Sequence, residues 1–154
     1  MAINEPHILS ELQDALVQRA EQLVSGLHIQ RNAQQTGENQ LITEGNTQAS
    51  RALEVIQAAD SLAVFLNWLR YQTGRAAARD FWRRKSGDRE LAVALTAQLT
   101  WIQQEIERRA PEATAAERRT VTVRASLRLL GYFRRALSGA EYLGLIKLDA
   151  EAAP

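Results

Sequence analysis

Between Trp68 and Arg89 the chain reads WLRYQTGRAAARDFWRRKSGDR, setting Arg70, Arg75, Arg79, Arg83, Arg84, Lys85 and Arg89 against only Asp80 and Asp88. The stretch carries +5 over 22 residues, with Trp68, Tyr71, Phe81 and Trp82 interleaved. Arginine offers planar, paired donors that match phosphate oxygens, and aromatic rings offer stacking surfaces to unpaired bases. The chemistry expected here is non-covalent. Arg70, Arg75, Arg79, Arg83, Arg84 and Lys85 are candidate contacts to a nucleic-acid backbone, with Tyr71 and Trp82 as stacking candidates. On a helix, Arg75, Arg79 and either Arg83 or Lys85 share a surface. The same residues also read as a solvated face over an inward-packed Phe81 and Trp82, because aromatics at helical spacing are usually core.

A second basic set is Arg118, Arg119, Arg124, Arg128, Arg134 and Arg135. Arg124, Arg128 and Arg135 lie four and seven residues apart and form one helical stripe, a further candidate backbone contact. Val123, Leu127, Leu130 and Leu137 form the apolar stripe beside it. Gly131 costs a helix about 1 kcal/mol relative to alanine, which suggests a close approach by another helix or a ligand. These arginines have a second reading as internal partners of an acidic N-terminal half. The net charge of +1 conceals that polarity. Residues 1–69 hold three Arg and eight acids, whereas residues 70–135 hold fourteen Arg, one Lys and seven acids. Seventeen Arg against two Lys tempers any reading of arginine number, but not of its clustering.

Residue types suited to catalysis are sparse. His7 and His28 are the only histidines, and cysteine is absent. That excludes a disulfide framework, a thiolate nucleophile and any Cys-containing metal site. The chain lacks a Glu-x-x-His pair, a Walker glycine loop and a nucleophile elbow. Glu105 and Glu107, two apart on a helix, face different ways. The expectation is a non-enzymatic chain with no cofactor and no metal.

The elements that position these residues are expected to be helical. Ala, Leu, Arg, Gln and Glu dominate, and prolines and glycines are few. A first helix should start at Asn4-Glu5-Pro6 and end near Ser25-Gly26. The polar run QRNAQQTGENQ, residues 30–40, reads as a loop, and Gly45-Asn46-Thr47 as a turn and cap. A second helix should span about Thr47 to Thr73 as the central, most buried of the set, with Gly74 ending it in the left-handed conformation. A short basic helix from Arg75 to Lys85 follows. Asp88 should cap a helix reaching Arg109, with the stripe Leu91, Leu95, Leu99, Ile102 and Ile106. Pro111 marks a boundary. Thr114-x-x-Glu117 reads as a capping box opening a helix to Leu137, and Ser138-x-x-Glu141 as another opening a terminal helix from Tyr142 to Leu148. The fold class expected is all-α, a compact bundle of five to six helices with a polar loop near residues 30–40. Residues 1–148 form one domain, and 149–154 a frayed tail. No run is long and apolar enough to span a membrane, and the first residues lack the pattern of a secretory signal, so the expected location is cytoplasmic.

With its length, its arginine-lined faces and the stretch FLNWLRYQTGR (Phe65 to Arg75), the chain resembles the helical small subunits of multi-subunit CRISPR effector complexes. The resemblance is one of size, helicity and charge. It implies a subunit of a ribonucleoprotein that packs along a guide–target duplex and contacts its backbone or the displaced strand. The partners expected are therefore RNA or single-stranded DNA, and other protein subunits, including copies of itself. The alternative expectation is a helical adaptor or regulator acting through homo- or hetero-oligomers, with the acidic half of one chain docked on the basic half of another. A helix-turn-helix near Leu137 to Leu145 is a weaker option, since Lys147 would be its only basic residue.

Overall fold

The Asn4 side chain accepts the His7 N–H at 3.3 Å and starts α1 (Glu5–Ser25), with Pro6 in the first turn where a missing N–H costs nothing. This is the expected start, seen in a computed structural model that describes residues 3–29, 37–76, 78–143 and 147–148. The buried face of α1 is Ile8, Leu9, Leu12, Leu16, Ala20, Leu23 and Val24, while Glu11, Asp14 and Glu21 face solvent. Burying residues at spacings of three and four against a core is what stabilises such a helix.

Among the described residues five further helices follow: α2 (Gly37–Ala58), α3 (Leu62–Gly74), α4 (Arg79–Trp82), α5 (Leu91–Arg109) and α6 (Ala115–Leu143). Two short strand pairs are the remaining elements among the described residues. His28–Ile29 (β1) runs parallel to Lys147–Leu148 (β4), and Lys85–Ser86 (β2) forms a hairpin with Arg89–Glu90 (β3). The protein is an all-α bundle, as expected.

The centre of the bundle is α6, which packs against α1, α2 and α5. It buries Val121, Ala125, Leu129, Leu130, Phe133, Ala136, Leu137 and Ala140. The expected stripe of α5 is buried in full: Leu91, Leu95, Leu99, Ile102 and Ile106. The capping box at Thr114 also forms reciprocally. The Glu117 N–H donates to Thr114 Oγ1 at 3.1 Å, and the Thr114 N–H donates to the Glu117 carboxylate at 3.3 Å.

Elsewhere tertiary packing overrides the local signals. The expected helix from Thr47 to Thr73 is broken at Ala59-Asp60-Ser61, where Ser61 is extended. Unbroken, it would be a rod of about 40 Å. The break instead lets Ala49, Ala52 and Ile56 pack toward α6 while Leu62, Phe65 and Leu69 turn toward α5. The expected turn at Gly45 lies inside α2, and Gly37–Gln40, assigned above to a loop, is helical; residues 30–36 lie outside the described residues. A Cβ on Gly45 would overlap Leu137 Cδ2 and lie 2.9 Å from Phe81 Cε1. Glycine is there for close approach of α2 to α6 and α4. Gly131, where that approach was expected, has nothing near its Cβ position.

The second half of the chain carries further corrections. Gly74 is not left-handed; the chain leaves α3 through an extended Arg75 whose N–H donates to the Gln72 carbonyl at 3.2 Å. The basic helix expected from Arg75 to Lys85 is reduced to α4, because Lys85 and Ser86 enter the hairpin. Asp88 occupies the hairpin turn beside Gly87 (φ +68°) and does not cap α5, which Glu90 precedes. At Ser138 no second capping box opens. The Ser138 hydroxyl donates to Asn46 Oδ1 at 2.7 Å, and α6 continues to Leu143 because Leu137 and Ala140 stay buried against its neighbours. With α6 unbroken there, the helix-turn-helix option has no turn. Of the terminal helix expected from Tyr142 to Leu148, Tyr142 and Leu143 belong to α6 and Lys147–Leu148 is β4; residues 144–146 and the tail at 149–154 lie outside the described residues.

Candidate nucleic-acid interface

The basic segment is built outward from a buried aromatic cluster. Trp82 is fully buried, meets Trp68 edge-on at 6.2 Å and Phe81 at 5.0 Å, and donates its indole N–H to Gln48 Oε1 at 3.1 Å. Phe81 in turn meets Phe133 of α6 at 6.4 Å. A buried indole needs such an acceptor, and Gln48 of α2 supplies it. Trp82 therefore cannot serve as a stacking platform for a base, and that assignment is corrected: it is the anchor of α4. Tyr71 is 64% exposed and keeps its ring at the surface.

The hairpin after α4 is held to the end of α1. The Ser86 hydroxyl donates to the Leu23 carbonyl at 2.7 Å, and the Gly87 N–H donates to the Gly26 carbonyl at 2.8 Å. Leu27 and Ser86 form an isolated bridge. A Cβ on Gly26 would lie 2.9 Å from the Gly87 nitrogen, so glycine permits this contact. On the other side, the Leu91 N–H donates to the Arg84 carbonyl at 2.8 Å and ties the hairpin to the start of α5.

On this support Arg70, Arg75, Arg79, Arg83, Lys85 and Arg89 are all exposed. Among the described residues none of these six side chains has a hydrogen bond or ion pair to an anion. Arg84 is half-buried and belongs to the support more than to the surface. Arg70 and Arg89 line one groove between α3 and α5, of about 440 Å³, with Thr73, Glu90, Val93 and Thr96. Arg89 is counted in the basic stretch but not among the candidate contacts, and Glu90 and Val93 are not singled out from sequence. The signal that could have found them is Ser86-Gly87-Asp88-Arg89, a two-residue Gly-Asp hairpin turn that folds Arg89 back beside Ser86.

The second arginine set is differently employed. Arg118 donates to the carbonyls of Ala110, Pro111 and Ala113 and closes the turn before α6. Arg124 is exposed but paired with Glu5 of α1, and Arg135 sits 5.9 Å from the Tyr132 ring. Arg119, Arg128 and Arg134 are exposed. No arginine of α6 lines the α3–α5 groove, and from Arg118 to Arg135 the set is strung along about 26 Å of helix.

Other charged groups serve the bundle. Glu105 pairs with Arg108 at 2.5 Å and Arg109 at 3.3 Å, and the hydrogen bond from Arg108 holds its carboxyl below the usual range, against an opposing effect of burial. Arg109 also reaches Glu11 of α1 at 3.2 Å. Arg19 stacks 3.6 Å over the Trp101 ring and donates to Gln98 at 2.8 Å; desolvation lowers its pKa, with Glu105 acting in the opposite sense. His7 faces Glu11 at 3.1 Å on the surface. Among the described residues no three His, Asp or Glu side chains gather closely enough to hold a metal ion, and no helix is long and apolar enough to cross a membrane.

Comparison with protein-family models, with curated proteins and with solved structures finds no match to this chain.

Proposed function

We propose that this protein is a non-catalytic helical subunit that binds nucleic-acid backbone, RNA or single-stranded DNA, within a ribonucleoprotein. The supporting observation is the surface of the segment from Arg70 to Arg89: six exposed cations with no anion partner among the described residues, next to a hairpin tied to α1 on one side and to α5 on the other. A protein that needed these charges only for its own stability would pair them, as it pairs Arg109 and Arg124. Unpaired arginines on a rigid support are arranged to take phosphates without further ordering. The likeness in size, helicity and charge to CRISPR effector small subunits agrees with this reading and supplies no residue for it.

The test is binding of the purified protein to labelled RNA and DNA, single- and double-stranded, over a salt series. Affinity should fall steeply with salt, because each neutralised phosphate releases counterions. The combined variant Arg75→Glu, Arg79→Glu and Arg83→Glu should lower the log–log salt slope by about 3, one for each lost contact. An unchanged slope in a folded variant would sink the proposal.

A second reading, a helical adaptor, draws on Val64 of α3, an exposed apolar side chain, and on the solvent-facing acids of α1. It expects concentration-dependent self-association that weakens with salt. A strictly monomeric chain would remove its self-docking form.

A further inference from the structure

We propose that the groove between α3 and α5 is a subsite for one unstacked nucleotide, so that the protein takes a single strand in preference to a duplex. This rests on the backbone-binding reading above and adds which form of nucleic acid is bound.

The groove has the size and lining for such an occupant. Its volume of about 440 Å³ lies within the roughly 300–1,000 Å³ of ordinary small-molecule clefts. Its apolar floor includes Leu69, Ala92 and Val93, and Val93 is 51% exposed although it is the kind of side chain a helix buries when it has a partner. A flat base laid on that floor would cover it. A duplex presents its phosphates first and keeps its bases stacked inside, so it cannot.

Charge selects the occupant. Arg70 on α3 and Arg89 on β3 line the groove from different elements, and neither forms an ion pair among the described residues. One phosphate held by this pair would leave its attached base directed at the floor. Glu90 also lines the groove, and its carboxylate is an acceptor for an exocyclic amine or ring N–H of that base. A groove with cations alone would favour phosphate by itself. Cations, an apolar floor and one acceptor together fit a nucleotide. Tyr71, next to Arg70 on α3 and 64% exposed, is outside the lining of the groove.

The experiment compares a short labelled single-stranded RNA with the same sequence as a duplex, using wild type, Val93→Trp, Arg89→Glu and Arg79→Glu. Val93 is exposed on α5, so tryptophan there fills the groove without entering the core; circular dichroism checks the fold, and Arg89→Glu tests the same groove without adding bulk. Wild type should favour the single strand about tenfold, the scale of one stacked base. Val93→Trp and Arg89→Glu should erase that preference. Arg79→Glu, outside the groove, should weaken both forms alike and preserve it. Equal affinity of wild type for both forms would overturn this inference and leave backbone binding standing. A wild type that binds neither form would overturn both. A preference that survives Val93→Trp and Arg89→Glu would free the groove for an apolar side chain of a protein partner, and the nucleotide proposal would fail.

Discussion

The two arginine-rich regions of this protein look alike in composition and differ in what their charges touch. Along α6, Arg118 is spent on three carbonyls of the preceding turn, Arg124 on Glu5, and Arg135 leans toward Tyr132. Among the described residues the exposed cations from Arg70 to Arg89 have no such partners, yet the backbone beneath them is held by Trp82, Ser86 and Gly26. Surface ion pairs contribute little stability, typically below about 1 kcal/mol. The contrast therefore concerns availability more than energy. One region's charges are partly committed to the fold, and the other's are displayed by it.

The comparison breaks most easily at the anchor. Trp82→Ala should destabilise the protein by about 3–5 kcal/mol, because it removes a fully buried indole and strands Gln48. Tyr71→Ala should change stability by less than about 0.5 kcal/mol and weaken single-strand binding. Denaturant unfolding of the two variants decides this. Similar stabilities would mean that α4 is not anchored as described, and the cationic surface would lose its rigid support.

A smaller effect is expected at the join between α1 and the hairpin. Gly26→Ala places a methyl 2.9 Å from the Gly87 nitrogen and 3.0 Å from Ser86 Oγ, so backbone must shift. A cost of about 1–3 kcal/mol is expected, as for overpacking elsewhere. Amide exchange at Gly87 should accelerate, since its bond to the Gly26 carbonyl is the one displaced. If exchange there is unchanged, the hairpin is held by something other than α1.

On the α6 side, Thr114→Ala should cost about 1 kcal/mol, the ordinary value of an N-cap. Ser138→Ala, at a position of the same sequence pattern, should lose only one exposed bond to Asn46 and cost less. That pair of positions shows how the sequence is legible and where it stops. Thr114-x-x-Glu117 follows Pro111 and a turn, so the backbone donors of a helix start are unpaired and the side chains find them. Ser138-x-x-Glu141 lies where helical donors are already satisfied, and the pattern has nothing to cap. The stripes of α1 and α5 were legible for a similar reason, because apolar side chains every three or four residues need one buried face. Gly45 and Gly131 were not. A glycine inside a helix signals a close approach only if another element arrives, and that depends on Phe81 and Leu137, which are far along the chain. Among the candidate site residues, Arg75, Arg79 and Arg83 are exposed, but the single helix expected to carry them is cut to α4: Arg75 is extended before it, Arg79 opens it and Arg83 follows its end. Trp82 differs because an aromatic side chain in a basic run reads alike whether it points in or out. The groove was hidden in the hairpin that brings Arg89 into the same cleft as Arg70.

The smallest effect expected is in the pH dependence of the committed charges. Glu105 has its carboxyl lowered from an ordinary value near 4.5, first by the hydrogen bond from Arg108. A folded-state pKa below the unfolded one means that the unfolded chain binds the proton more readily. The contribution of Glu105 is therefore fully present above about pH 4.5 and lost as pH falls through the lowered value. Denaturant unfolding of wild type and Glu105→Gln between neutral and strongly acidic pH should show two curves that converge as the medium is acidified. Arg79→Gln should instead run parallel to wild type through that range, because among the described residues Arg79 has no carboxylate partner whose protonation would release it. Convergence of the Arg79→Gln curve with wild type in acid would reveal an internal anion for that side chain. Arg79 would then belong with Arg118 and Arg124 of α6, as charge the fold uses for itself.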